Sequence, residues 1–416
     1  MTGDTGGREM QETEIGRPLY LTCEGSGGLS MRRIVPLICL AVSLAAHAKS
    51  PRPVSIQEFE QILAANKDEP DGKVAKDLSG LRLTERASSV RLARWENQFP
   101  GKHCHEELLL LADTSAFLNL PATDIPTNAV PAVEAQKAIL LKALDYVKTA
   151  IKRLPNFYAT RKTEHFQDTP PITVARGLLV APVGPGNRSG AMPGDASSRE
   201  SIYVPMHDAG KSSTTISFVD GHEVFGSKKK ASNSADQFAM TLTTQGEFGP
   251  ILIVVLQDAI KGHIRWGHWE QSGDATIAVF RYGVDNGQTS YMVGLPRGGQ
   301  MERLFPAYHG EIAIDPANGS ILRITTVADF QYPNEDAMSS IAVEYASVSI
   351  GGAPYICPVR GVALAKVPLR ELAGTGVPVQ TQLNDVSFTD YHLFRSESRV
   401  LTDAPIGEPD AAAPPK

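Results

Sequence analysis

The chain reads as an α+β protein, with helices first and a mainly antiparallel sheet after them. Three observations carry that reading. Apolar residues recur at helical spacing as far as Leu154. From Asn156 the period changes to alternation. Three tight-turn signals, Asp220-Gly221, Asn318-Gly319 and Gly351-Gly352, then separate runs of strand character.

The helices follow in order. Ser55 caps a first helix, Glu58 is its capping-box partner, and Val54 staples onto Phe59. Ile56, Phe59, Ile62 and Leu63 form its apolar face, and Asp68 to Gly72 breaks it. A short helix runs through Val74 and Leu78. Thr84 is placed to cap the next, which holds Val90, Leu92, Ala93 and Trp95 and ends at Pro100-Gly101. Glu106 to Phe117 forms another, and Ala132 to Leu154 carries the longest apolar pattern before Pro155 stops it.

The strands begin with Phe157 to Phe166. Residues 184–199 are rich in Gly, Pro and Ser and read as a loop, and Lys228-Lys229-Lys230 as a solvated turn. The apolar run Ile251 to Leu256 fits either a buried strand or a helix; its length and Gly262 as a C-cap favour helix. Ala275 to Tyr282, Gly310 to Asp315, Ser320 to Thr325, Ile341 to Ile350, Pro354 to Leu364 and Asn384 to Val400 complete the expected β region.

The 416 residues hold 40 Lys and Arg against 46 Asp and Glu, a net charge of −6. Met31-Arg32-Arg33, the apolar run Ile34 to Ala46 and the small residues of Ala46-His47-Ala48 form the tripartite pattern of a secretory signal. The apolar run is shorter than the ~20 residues a membrane-spanning helix needs. The organisation expected is therefore a non-native extension at 1–30, a signal peptide at 31–48, a helical domain at 49–155, a β-rich domain at 156–403 and a disordered tail at 404–416. A chain starting at Lys49 keeps 36 basic and 41 acidic residues. That acidic balance argues against nucleic-acid binding, and no other stretch reads as a membrane anchor. The expected location is the periplasm or the extracellular space. Cys104 and Cys357 remain after export; a disulfide between them and two buried free thiols are both open.

Asp315-Pro316-Ala317-Asn318-Gly319 with Ile321-Leu322-Arg323-Ile324 resembles the hairpin of LolA/LolB-like proteins, the lipoprotein-sorting half-barrel superfamily. The order that follows is similar: Val343-Glu344-Tyr345, Gly351-Gly352, Tyr355-Ile356-Cys357-Pro358 and Phe388-Thr389-Asp390-Tyr391. The likeness covers roughly residues 240–400. It implies an open, meandering β-barrel with short helices in its mouth and an apolar concavity suited to acyl groups, with no catalytic residues to carry over; no cofactor is expected. The helical first half and the Gly-rich loop depart from that family. The chain as a whole resembles a group of exported bacterial proteins.

His263-Ile264-Arg265-Trp266-Gly267-His268-Trp269-Glu270 is the least ordinary local sequence. As an uninterrupted strand it puts His263, Arg265 and Trp269 on one face and Ile264, Trp266 and His268 on the other. One reading is a ligand-facing aromatic wall with polar handles; the other is a sheet whose tryptophans pack beneath a helix. His103-Cys104-His105-Glu106-Glu107 suggests metal ligation, yet acidic residues in a first turn also favour the helix dipole, and no metal site is assigned there. Gly210-Lys211-Ser212 lacks the upstream glycine of a phosphate loop because Pro205 stands there. No nucleophile elbow or zinc-protease motif is present. The expected function is non-catalytic binding of a lipid or other hydrophobic ligand at the cell envelope, through His263, Arg265, Trp266, His268 and Trp269. The alternatives are a protein-binding scaffold built on the helices, and a hydrolase using His263, His268 and Glu270.

Overall fold

A computed structural model of the chain describes residues 51–170, 173–174, 199–200, 203–225, 242–272, 275–297, 300–331, 336–369 and 378–394. The expected extension, signal segment, lysine run and tail, and residues 184–198 of the Gly-rich loop, lie outside the described residues.

The first helix forms where its caps are written. In α1 (Ile56–Ala65) both bonds of the Ser55–Glu58 capping box are made, and Val54, Ile56, Phe59 and Leu63 are buried in one cluster. α2 (Asp71–Leu78) follows. α3 (Ser89–Gln98) is capped by Ser88, four residues later than Thr84. Thr84 instead continues a short parallel pair of β1 (Arg52–Val54) and β2 (Leu81–Leu83), donating its backbone N–H to the Val54 carbonyl at 2.9 Å. Three-residue strands leave no period to read.

α4 (Lys102–Thr114) begins four residues before the expected Glu106. Its cap comes from another element. Asp71, at the start of α2, accepts from the N–H groups of His103 at 3.1 Å and Cys104 at 3.0 Å. α5 (Val133–Arg153) is the longest helix and α6 (Pro250–Lys261) settles the ambiguous apolar run as helix. Ile251, Leu252, Val255, Leu256 and Ala259 are buried at helical spacing, and Pro250 occupies the first turn, where its missing N–H costs nothing.

The main sheet has ten antiparallel strands and is not closed. Its strands are β3 (Phe157–Thr169), β6 (Val204–Val219), β7 (His222–Phe225), β8 (His263–Ser272), β9 (Ala275–Val284), β12 (Ala307–Ile314), β13 (Ile321–Asp329), β14 (Met338–Ile350), β15 (Ala353–Pro368) and β16 (Val379–Leu393). The order is β7-β6-β3-β16-β15-β14-β13-β12-β9-β8. Strands β12 to β16 form a meander, and β3 lies beside the last of them. The short pairs β4 (Thr173–Val174) with β5 (Arg199–Glu200) and β10 (Val293–Arg297) with β11 (Gln300–Leu304) stand apart from it.

The hairpin turns match their residues. Asp220 and Gly221 take φ of 51° and 83°, and Gly351 and Gly352 take 61° and 88°. At Asn318-Gly319 only Gly319 is left-handed, at 83°. A Cβ on Gly319 would lie 2.5 Å from the backbone of Lys142 in α5, so this tip docks directly on the helix.

Strand alternation divides the sheet between two helical layers. On one face Ala278, Phe280, Tyr282, Ile312, Ile314 and Val343 pack with α5 and α6. Fully burying a side chain of this size contributes ~1.5–3 kcal/mol. On the other face Phe166 and Leu383 join the core of α1 to α4, beside a small patch of Ile277, Val279 and Ala313. The described protein is thus a mixed helix-and-sheet structure around one large open sheet. No described helix is long and apolar enough to cross a membrane. Cys104 and Cys357 are buried as free thiols in different core clusters.

Candidate functional site: a charged cleft over the sheet

The unusual stretch of β8 is a strand, but not an uninterrupted one. Trp266 stands opposite Phe280, and the next partnered residue, His268, stands opposite Val279. Gly267 is the extra residue of a bulge, which reverses the alternation after it. A Cβ there would lie 2.9 Å from the Val279 carbonyl oxygen. The face assignment made from strict alternation is corrected accordingly: Trp269 joins Trp266 and Ile264 on the α5–α6 side, and His268 moves to the opposite side.

The two tryptophans are packing residues. Their rings meet edge-on at 4.8 Å, Trp266 contacts Phe280 at 5.4 Å, and both lie against the α5–α6 core. Trp269 donates its indole N–H to the Ala129 carbonyl at 2.9 Å. His263, Arg265, His268 and Glu270 are left to the other face.

That face carries a row of charged side chains across the sheet. Register places Lys211 opposite Glu164, Glu164 opposite Asp385, Arg360 opposite Glu344, Glu344 opposite Arg323, Glu311 opposite Arg281, and Arg281 opposite Arg265. Arg86, between β2 and α3, enters this row from the helical layer. Glu270 accepts a two-pronged bond from Arg323 (2.6 and 2.7 Å), a further bond from Arg86, and one from His268 Nε2 at 3.1 Å. Glu311 meets Arg281 at 3.2 Å, Arg323 at 3.4 Å and Arg86 at 3.5 Å. Burial works against the Glu270 charge, yet the Arg323 fork, His268 and Arg86 outweigh it and hold the carboxyl far below the usual range. Burial pulls the Arg86 pKa down, and the neighbouring Arg323 charge adds to that. Farther along, Arg360 joins Asp385 to Asp113; burial, then the Asp385 charge, pushes the Asp113 carboxyl well up.

Two cavities flank the Arg86 cluster between the sheet and the helical layer. One, of about 530 Å³, is lined by Phe117, Leu118, Arg265, Arg281, His309 and Val327 among others. The second, of about 990 Å³, lies under α3 and reaches Ser89, Arg94, Ile277, Leu322, Glu344 and Arg360. Arg86 lines both. On the opposite face α5 and α6 leave an apolar pocket of about 280 Å³, beside Phe248, Leu252, Tyr345 and Ile356.

Three donors suit a metal by spacing: atoms of His268, Glu270 and Glu311 lie within 4.8 Å of one another. Their chemistry does not fit one well. Both Glu270 oxygens already hold guanidinium groups, which supply the positive charge a metal would bring. In the His103–Glu107 run, Cys104 is buried against Asp71 and His105 pairs with Glu96 at 2.9 Å; this run forms no ligand set among the described residues.

Of the residues singled out in the sequence, His263 and Arg265 line the first cavity, His268 bonds Glu270, and Trp266 and Trp269 pack on the opposite face, whereas Arg86, Arg281, Glu311 and Arg323 are not among those singled out as site residues. The available signal was weak: Glu311 and Arg323 are charged residues inside otherwise apolar strands. The hydrolase set is only partly assembled. His268 and Glu270 meet, whereas His263 stands at the rim, its side chain 83% exposed and 3.6 Å from Asp285.

No protein-family model, curated protein or solved structure matches this chain.

Proposed function

We propose that this is an exported, non-catalytic binding protein whose ligand lies in the cleft between the α1–α4 layer and the sheet. One observation carries the reading: the two large cavities meet at Arg86, where the helical layer joins the sheet. The 530 Å³ cavity falls within the ~300–1,000 Å³ usual for small-molecule sites. Phe117, Leu118 and Val327 give it apolar walls suited to an acyl or similar body. Against catalysis stands the engagement of the acid–base candidates. Glu270 is clamped by two arginines, and His268 is bonded to it. The half-barrel resemblance implies the same class of function, a carrier or sensor of hydrophobic molecules. In this reading the ligand lies on the other face of the sheet, because α5 and α6 pack against the face that a half-barrel would leave open.

The test is binding of medium-chain ligands, decanoate and decanol, to the purified chain from Lys49, with mass spectrometry of whatever co-purifies. At least one should bind, and Leu118→Trp, which fills the cavity, should weaken it. Absence of binding by folded protein would sink the reading. A second reading, a protein partner on the helices, is favoured by the exposed Val130, Val133 and Leu141 at and before α5. It separates from the first because Leu141→Asp would disturb partner binding and leave decanoate binding unchanged.

A further inference from the structure

We propose that the ligand of this cleft carries an anionic oxygen group, a carboxylate or phosphate, held between Arg265 and Arg281. The inference rests on the binding reading above and names the chemistry that the cleft selects.

Arg265 and Arg281 stand directly opposite one another on neighbouring strands, and both line the 530 Å³ cavity. Like charges at directly opposed positions of an antiparallel pair destabilise it. Elsewhere in the row each arginine has a carboxylate beside it. Arg281 donates to Glu311 and, at 2.8 Å, to Asn119. Arg86 and Arg323 share Glu270 and Glu311. Arg265 is exposed and has no hydrogen bond or ion pair among the described residues. Glu311 cannot serve it as well, because Arg86, Arg281 and Arg323 already crowd that carboxylate. The rim histidines bring their own acids: His309 meets Asp329 at 2.9 Å and His263 meets Asp285. The cavity therefore ends in an unmatched guanidinium beside a half-engaged one. The free guanidinium of Arg265, with the remaining donors of Arg281 on the directly opposed residue, suits the oxygens of a carboxylate or phosphate. Phe117, Leu118 and Val327 continue from that point as apolar wall.

The experiment is calorimetric titration of the chain from Lys49 with decanoate, decanol and inorganic phosphate, in wild type, Arg265→Gln and Arg265→Glu. Decanoate should bind more tightly than decanol. Arg265→Gln should weaken decanoate about tenfold or more, the scale of one charge-assisted contact, and leave decanol nearly unchanged. Arg265→Glu should abolish decanoate binding and raise the melting temperature of the ligand-free protein by ~1–2 °C, because a Glu–Arg pair replaces an Arg–Arg pair. A structural arginine would show the opposite sign of stability change. Phosphate binding with the same Arg265 dependence identifies a free oxyanion as sufficient. Decanoate binding without phosphate binding identifies the headgroup of an amphipathic acid. Equal affinity for decanol and decanoate, an unaltered Arg265→Gln, or a destabilised Arg265→Glu overturns the anion clamp and leaves the cleft reading standing. No binding of any probe to folded wild type overturns both.

Discussion

Gly267 decides which side chains of β8 reach the charged cleft. Its bulge turns His268 and Glu270 toward Arg86 and sends Trp269 to the core. A side chain there would press on the Val279 carbonyl at 2.9 Å, and a strand backbone held on both edges has little room to yield. Gly267→Val should destabilise by ~1–3 kcal/mol in urea unfolding. It should also weaken ligand binding, since the ion cluster depends on the reversed alternation; a neutral outcome in both would remove the bulge from the argument. Glu107 lies half-buried in α4. Burial, then the neighbouring Glu106 charge, raises its carboxyl from 4.5 to about 7. The folded state thus holds this proton more tightly than the unfolded chain does. Stability from this group is complete below pH 4.5 and is lost as pH rises through about 7. Glu107→Gln should match wild type at pH 4 and exceed it at pH 8, by ~1 kcal/mol once partial exposure is allowed for. Thermal unfolding across that range checks it, and a pH-independent offset would refute it.

Elements were legible wherever their causes lie a few residues apart. The Ser55–Glu58 box, the Asp220-Gly221 turn and the apolar stripe of α6 need only local sequence, and each appears where its residues place it. The departures have distant causes. α4 starts at Lys102 because Asp71, some thirty residues earlier, supplies its cap. Thr84 is drawn into the β1–β2 ladder by Val54, so Ser88 caps α3 instead. The bulge in β8 reflects pairing with β9, and alternation alone carries no sign of it. The candidate site was legible to the same limited degree. Arg265 drew attention because it stands in an odd local sequence, whereas Arg86, Glu311 and Arg323 gain meaning only when the sheet aligns them. Their separation along the chain, from the end of β2 to β13, exceeds anything a motif spans.

Across the whole molecule, the charge row is where the α1–α4 layer meets the sheet. Arg86 and Arg360 tie it to that layer, through Glu270 and Asp113 respectively. A buried cluster of this kind is costly to break, because the surviving charges remain away from water. Glu270→Gln keeps the shape of the side chain and deprives Arg86 and Arg323 of the nearer of their two shared anions, leaving Glu311. It should cost ~3–5 kcal/mol at pH 7, read from urea unfolding. The sign with pH is fixed by the depressed Glu270 pKa. Its stabilisation is present above the ordinary value of 4.5 and is lost as pH falls below it, so the gap between variant and wild type should narrow in acid. Replacing the three charges together, with Arg86→Met, Arg323→Met and Glu270→Leu, should recover much of the loss, since no charge is then stranded. That triple variant separates two roles for the cluster. If it folds stably but no longer binds decanoate, the row serves the cleft rather than the fold; if it fails to fold, the ions hold the helical layer to the sheet.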